Sequence, residues 1–283
     1  MTLALQATPY ERKYRDDILS LMFYSRHTHT HLDWYKAGTW LDTERKSVML
    51  AFNRDELVGV MGVANPLHGV SWIRLAIIAR SYDPAMILSF LWQQTQSALR
   101  QQGANQVAVL VINPWLAEFL PALGFSYQEN VVTMHRQPQA IPPAPTTQVT
   151  LRNGYLEDLH QIVAVDHAAF PAPWQMSAMD LRVSQRQAAS CTVAVDDGNI
   201  IGYEIATRHN TAGHLARLAV HPAYQGKRVG QHLLHHLLTR FNNRGVKSMT
   251  VNTQDSNIRS QRLYQRYGFL RNGFDLAVWM QSI

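Results

Sequence analysis

Six consecutive residues have the composition of an anion site. Gln225, Gly226, Lys227, Arg228, Val229 and Gly230 follow the apolar run Leu215-Ala-Arg-Leu-Ala-Val220, which stops short of Pro222. They lead into a stretch where Val229, Leu233, Leu234, Leu237, Leu238 and Phe241 recur at helical spacing. The run reads as a buried strand and the recurrence as an amphipathic helix. The first turn of such a helix carries N–H groups with no partner inside the helix, and its macrodipole adds partial positive charge, so the junction attracts phosphate. Gly226 and Gly230 let a phosphate approach the backbone, and Lys227 and Arg228 add charge at the rim. The spacing is neither that of a Walker loop nor that of the Rossmann glycine triplet. A generic glycine-containing strand-to-helix loop would read similarly.

Other residue types capable of chemistry are less organised. Cys191, the single cysteine, lies in Ala189-Ser-Cys-Thr-Val-Ala194, a strand-like run in which it reads as a small core residue. One cysteine excludes intramolecular disulfides and a cysteine-rich zinc site, and suits a reducing cytoplasm. His27, His29 and His31 alternate and would share one face of a strand, but without Cys or carboxylate partners they make no metal site. His232, His235 and His236 fall mostly on the polar side of the helix after the loop. Trp34, Tyr35 and Trp40 read as filling a first core.

Residues 225–230 resemble the acetyl-CoA motif of the GNAT N-acetyltransferase superfamily, Gln/Arg-x-x-Gly-x-Gly/Ala. Gln225 and Gly230 match, and Arg228 stands where the middle glycine is usual. Two backbone paths are open to Arg228: ordinary helical dihedrals, in which it offers only its N–H and the motif tolerates it, or a positive φ, which counts against the site. Ala169-Phe-Pro-Ala-Pro-Trp174 resembles the Cys-Phe-x-x-Pro-Trp segment of ribosomal-protein N-terminal alanine acetyltransferases. Asn199-Ile-Ile-Gly-Tyr203 is similar to the hairpin strand ahead of the cofactor strand. Ser256-Asn257, Leu263-Tyr264 and Tyr267-Gly-Phe269 are similar to the family's Asn…Leu-Tyr…Gly-Phe ending. The resemblance covers most of residues 148–283, and the order and spacing of the pieces carry it.

The resemblance implies acetyl-CoA as cofactor and a primary amine of a small molecule or peptide as acceptor. In the family, loop N–H groups hold the CoA pyrophosphate and the cofactor strand presents backbone groups to the pantetheine and acetyl, by position Leu218, Ala219 and Val220. Asn257 corresponds to the asparagine that bonds the cofactor, and reads equally well as a helix N-cap. Tyr264 corresponds to the general acid; a phenol of pKa near 10 can protonate a departing thiolate. A packed tyrosine on an amphipathic helix is the reading its spacing alone supports. The general base is the open role. Asn252 occupies the position of the alanine acetyltransferases' Glu and takes no proton at neutral pH, which leaves His214 and Glu204 as candidates. Neutralising a Lys amine of pKa about 10.4 at pH 7 costs roughly 4.6 kcal/mol, whereas an α-amine of pKa near 8 costs about 1.4 kcal/mol. A site without a strong base therefore favours an α-amine. The alternative is a catalytically weak acyl-CoA-binding sensor or interaction module.

These groups need a scaffold, and the chain suggests two copies of one. Pro138, Pro142, Pro143 and Pro145 mark a linker at residues 138–147. On each side a β-like run, a helix-like stretch, Gly-Phe and a second β-like run follow in the same order, through Gly124-Phe125 and Gly268-Phe269. The expected fold is α/β (α+β), two GNAT-like acyl-CoA N-acyltransferase domains, each a mixed, mostly antiparallel sheet flanked by helices. Residues 1–137 would form a degenerate domain and residues 148–283 the acetyltransferase domain. The first half has no Gln-x-x-Gly-x-Gly pattern, and Leu120 stands opposite Tyr264. Tandem GNAT proteins share this plan.

Composition agrees. The 283 residues are 46% hydrophobic and 16% charged, ordinary for a globular protein and unlike a disordered chain. The net charge of +6 sits mainly after Arg136, where the balance is +5. The basic residues are spread out with no Lys/Arg tract, so charge points to a phosphate-bearing cofactor rather than nucleic acid. No run of about 18 apolar residues would span a membrane, and the first residues do not read as a signal peptide. The expectation is a cytoplasmic enzyme with no nucleic-acid or membrane partner, no metal, and room for a homodimer.

Overall fold

The structure is a computed structural model that describes residues 4–43 and 47–283. Contacts divide the chain into two compact units, Met1–Glu129 with Leu276–Ile283, and Asn130–Asp275.

The first unit runs β1 (Leu5–Pro9), α1 (Arg15–Tyr24), β2 (His27–Thr30), α2 (Ala37–Thr43), β3 (Val48–Asn53), β4 (Glu56–Val63), β5 (Val70–Ile78), α3 (Pro84–Gln101) and β6 (Gln106–Leu110). It shares β7 (Ser126–Arg136) with the second unit. β1, β3, β4 and β5 pair antiparallel in turn, and β5 pairs parallel with β6. β3–β5 are almost continuously apolar because helices cover the sheet. Ile87, Leu88, Leu91 and Trp92 of α3 share one core with Val107 and Val109 of β6.

The second unit contains β8 (Thr150–Asn153), α4 (Leu159–Ala169), α5 (Ala178–Gln187), β9 (Ser190–Asp196), β10 (Asn199–His209), β11 (Ala212–Val220), α6 (Val229–Asn243), β12 (Ser248–Gln254) and α7 (Ile258–Arg266). β13 (Leu270–Ser282) begins in this unit and ends in the first. The order β8-β9-β10-β11 is antiparallel, β11–β12 is parallel, and β12 pairs antiparallel with β7. Leu234, Leu237, Leu238 and Phe241 of α6 fill a core with Met249, Val251 and Phe269, each large side chain worth roughly 1.5–3 kcal/mol on burial. Both units thus carry the mixed, mostly antiparallel sheet flanked by helices that the sequence suggests, and the β–α–β order repeats.

The division runs differently from boundaries at 137 and 148. Arg136 to Val131 pair with Met249 to Gln254 and belong to the second unit. Val278 to Ser282 pair with Leu110 to Gln106, and Trp279 packs on the first core. Strand partners are chosen by ladder register and buried faces, which no local composition marks. The proline-rich stretch is likewise held by the second unit. Arg136 Nη2 donates to Gln139 O at 2.7 Å, Gln139 Nε2 donates to Gly268 O at 2.9 Å, and Ile141 packs on the core. The helix-like stretch ahead of Gly124-Phe125, residues 115–123, forms only a 3-10 turn, Pro114–Glu118, because Pro121 cannot continue a helix. Among the described residues no helix is long and apolar enough to cross a membrane.

Candidate functional site

The site begins with a strand that loses one partner. β11 pairs with β10 from Ala212 to Val220, but with β12 only from Ala212 to Leu215. Ala216 is an extra residue in the β10 ladder, where Ile205 faces Arg217 and Ala206 faces Leu215. Such a bulge bends its strand. Beyond it Arg217, Leu218, Ala219 and Val220 keep one edge with no strand partner among the described residues. Their N–H and C=O groups on that edge suit a ligand that supplies amides as a strand would.

The chain then enters the glycine loop. His221 N donates to Ile201 O at 2.8 Å, closing the strand end, and residues Pro222–Tyr224 form a 3-10 turn. Gln225 Nε2 donates to Val220 O at 3.0 Å, so this side chain ties the loop to β11. Gly226 has φ of 84°, the left-handed region. Arg228 also lies there, with φ of 65° and ψ of 9°, so of its two open paths it takes the one that departs from the motif. A non-glycine residue in this region is strained by roughly 1–2 kcal/mol. The loop therefore reaches, with an arginine, the backbone path that glycine would take freely. Arg228 is the N-cap of α6 and makes no side-chain capping bond, so the first-turn N–H groups are not covered by it. Val229 is buried and anchors the helix start. Gly230 has no steric reason to be glycine: a β-carbon there would lie 3.5 Å from Leu263 Cδ2 and 3.7 Å from Val220 Cγ2, ordinary contacts. The missing side chain leaves an open cradle beside the uncapped helix end, and these residues fit a diphosphate. Lys227 Nζ stands 4.8 Å from the centre of the Tyr224 ring.

Asn257 is the N-cap of α7, its Oδ1 accepting from Ser260 N at 3.1 Å. Tyr264, on α7, is 5% exposed, and its ring lies 5.8 Å from that of Phe269. Burial pushes its phenol pKa up and the charge of Arg217 pulls it down; the balance keeps the hydroxyl protonated. The packed position and the acid role are thus compatible.

The two candidate bases lie on opposite faces of the sheet, because Glu204 and Thr207 are three residues apart on β10 and Thr207 faces His214. His214 Nδ1 is hydrogen-bonded to Thr250 Oγ1 at 2.8 Å, and burial pushes its pKa down. Its imidazole is neutral at pH 7. Glu204 is fully buried and accepts from Ser190 Oγ at 2.7 Å. Burial raises its pKa to about 7, against hydrogen bonding from Ser190 and the charge of Arg240. It is thus closed off from solvent, whereas His214 is partly exposed.

The structure also shows a cluster that spacing did not reveal. Asp166 of α4 is fully buried and receives Arg217 Nη2 at 2.6 Å and Nε at 2.8 Å, and the Tyr203 hydroxyl donates to it. Met176 N donates to its other oxygen at 2.9 Å. Arg217 Nη2 also donates to Trp174 O at 2.7 Å, and its guanidinium lies 3.6 Å from the Phe170 ring centre. The Phe170–Met176 segment is thereby fastened to the unpaired part of β11. The only signal in the sequence was a charge inside the apolar run 215–220.

The first unit has closed the equivalent positions. β5 pairs with β6 only at Val70–Trp72, and β2 then takes that edge, His27 facing Ile78 and Thr30 facing Leu75. Trp115 Nε1 donates to Thr28 O at 3.2 Å. At the start of α3 the Asp83 side chain accepts from Ala85 N at 3.1 Å, and Pro84 has no N–H. The histidine strand is thus a structural insert: His29 is buried, and His31 bonds Asp33 at 3.0 Å. Cys191 is pushed up to about 12, chiefly by burial, and is no nucleophile at neutral pH.

Residues 159–269 match the family described as acetyltransferase (GNAT) family. The mycothiol acetyltransferase of Brachybacterium faecium is 27% identical over 77% of this chain and 67% of its own length. The [ribosomal protein bS18]-alanine N-acetyltransferase of Haemophilus ducreyi is 25% identical over 40% of this chain and 77% of its own. Two other curated relatives, 36% and 33% identical, are matched over only 29% and 40% of their lengths. In fold, the chain is similar to a tandem GNAT protein from the clavulanic acid biosynthesis pathway, with a TM-score of 0.63 at 16% identity over 98% of both chains.

Proposed function

The second unit carries a domain of the GNAT acetyltransferase family, and from that premise we propose that it transfers an acetyl group from acetyl-CoA directly to a primary amine, an α-amine being favoured. One observation carries the reading: an uncapped helix start at Arg228–Gly230 adjoins a strand edge left without a partner beyond Leu215.

In this reading the loop from Gln225 to Gly230 holds the CoA diphosphate through backbone N–H groups, with Lys227 and Arg228 at the rim. Leu218, Ala219 and Val220 align the pantetheine along the open edge. Asn257 spends its Oδ1 on the helix cap and has its amide N–H groups for the cofactor. The bound cofactor supplies the activated acetyl group. Tyr264 keeps its proton at neutral pH and would deliver it to the sulfur as the carbon–sulfur bond breaks and the amide bond forms. The proton lost by the amine goes to water or to His214, whose neutral ring can accept it. With Glu204 sealed and Asn252 unable to act as base, no strong base faces the acceptor. An amine of low pKa therefore suits the site, and the α-amine preference follows. The segment fastened by Arg217 and Asp166 would form one wall of the acceptor side.

Calorimetric titration of acetyl-CoA into the wild type and into Gly230→Trp tests the reading. It expects one site per chain in the wild type and none in the variant, followed by acetylation of α-amines ahead of Lys side chains. A Lys peptide turned over faster than every α-amine offered overturns the acceptor preference. Two sites per chain overturn the view that β2 and Asp83 close the first unit.

A further inference from the structure

The loop has a third cation that comes from a different element. Arg259, in the first turn of α7, places Nη1 2.5 Å from Gln225 Oε1. Its Nη2 is 4.0 Å from where a β-carbon on Gly226 would sit. The guanidinium thus lies over the glycine of the loop, 34 residues away in sequence. Gln225 is used at both ends, donating to Val220 O and accepting from Arg259, so it links the strand end to this cation. Among the described residues none of Lys227, Arg228 and Arg259 is ion-paired. α7 itself carries Arg259, Arg262 and Arg266 and no acid. Three unneutralised cations around one backbone cradle raise the local potential and repel one another until an anion arrives. A guanidinium offers five N–H donors in a planar fork, and phosphate oxygens match that fork.

We propose that Arg259 is a further binding residue of the cofactor site, which takes a phosphate group of the CoA. The inference rests on the reading that residues 225–230 hold CoA. Gln225 positions Arg259 for this role, and the exposed side chain can turn its remaining donors toward the ligand without refolding.

The experiment is calorimetry on the full chain with acetyl-CoA and 3′-dephospho-acetyl-CoA, at two salt concentrations, for the wild type, Arg259→Gln and Arg259→Lys. Arg259→Gln is expected to weaken acetyl-CoA at least tenfold, to flatten the salt dependence of Kd, and to be partly rescued in Arg259→Lys. A loss that persists with the dephospho form assigns the contact to the diphosphate; a loss that vanishes assigns it to the 3′-phosphate. Equal affinity of Arg259→Gln and a wild type that binds overturns the proposal and leaves the cofactor site intact. A weakened variant with an unchanged salt slope also overturns it, because Arg259 then merely braces Gln225. A wild type that binds no acetyl-CoA overturns the underlying reading, and the proposal with it.

Discussion

Arg217 of the splayed strand and Asp166 of α4 meet at 2.6 Å in the interior of the second unit, 51 residues apart in sequence. The Tyr203 hydroxyl and Met176 N complete the coordination of the carboxylate. Burying two charges is favourable only when geometry and added hydrogen bonds offset their desolvation, and here both are present.

Removing one partner should therefore be severe. Asp166→Asn leaves the buried Arg217 cation without its counter-charge and is expected to destabilise the second unit by about 3–5 kcal/mol. Urea unfolding followed by tryptophan fluorescence would measure it. A loss under about 1 kcal/mol would mean that water or another group neutralises Arg217.

Tyr264→Phe keeps the packing against Phe269 and deletes the acidic proton. If the phenol protonates the leaving thiolate, kcat should fall by roughly 10²–10⁴ while acetyl-CoA affinity stays within a factor of about two. Steady-state rates with an α-amine acceptor, alongside calorimetry, separate the two. Full activity in the variant would assign Tyr264 to packing alone.

Arg228→Gly should relieve the left-handed strain. A gain of up to about 1 kcal/mol is expected, the flexibility that glycine adds to the unfolded chain offsetting part of it. Arg228→Val, branched at the β-carbon, should lose stability at the same position. Denaturation midpoints of the three proteins give the order, and a Gly variant less stable than wild type would mean that the arginine side chain contributes more than its backbone conformation loses.

Glu204 predicts a pH dependence with a definite sign. Burial holds its pKa near 7, above the ordinary value of 4.5, so between those two values the folded state binds a proton that the unfolded state has lost. Its contribution is complete below about pH 4.5 and is lost as pH rises toward 7, on the order of 3 kcal/mol in all. His214, whose pKa is lowered by burial, acts in the opposite direction. Glu204→Gln, which stays neutral, isolates the carboxylate: relative to wild type it should gain stability from about pH 4.5 to pH 7 and level off above that. A difference that does not change with pH would show that Glu204 is ionised throughout.

Where interactions are local, the residues announced them. The loop at 225–230 was readable because strand, turn and helix follow within about thirty residues, and helix-end electrostatics depend on nothing distant. The N-cap of Asn257 and the burial of Tyr264 followed from position and periodicity for the same reason. The path of Arg228 was not legible, because dihedral angles answer to the turn as a whole, and a glycine motif with one arginine leaves two backbone paths open. The sealing of Glu204 depends on α6 covering β9 and β10, which alternation along β10 does not specify.

By itself the sequence determined that the chain holds repeated β–α–β units and that a glycine-containing loop leads into a helix in the second and not in the first, since these rest on periodicity and glycine spacing. Only the tertiary structure decided that residues 130–136 join the second unit and 276–283 the first, that β2 fills the first unit's gap, and that Asp166 and Arg259 reach Arg217 and Gln225. Each of those depends on which distant backbone edge or buried charge finds its complement. That choice is made by packing across the whole chain, and no short stretch of residues encodes it.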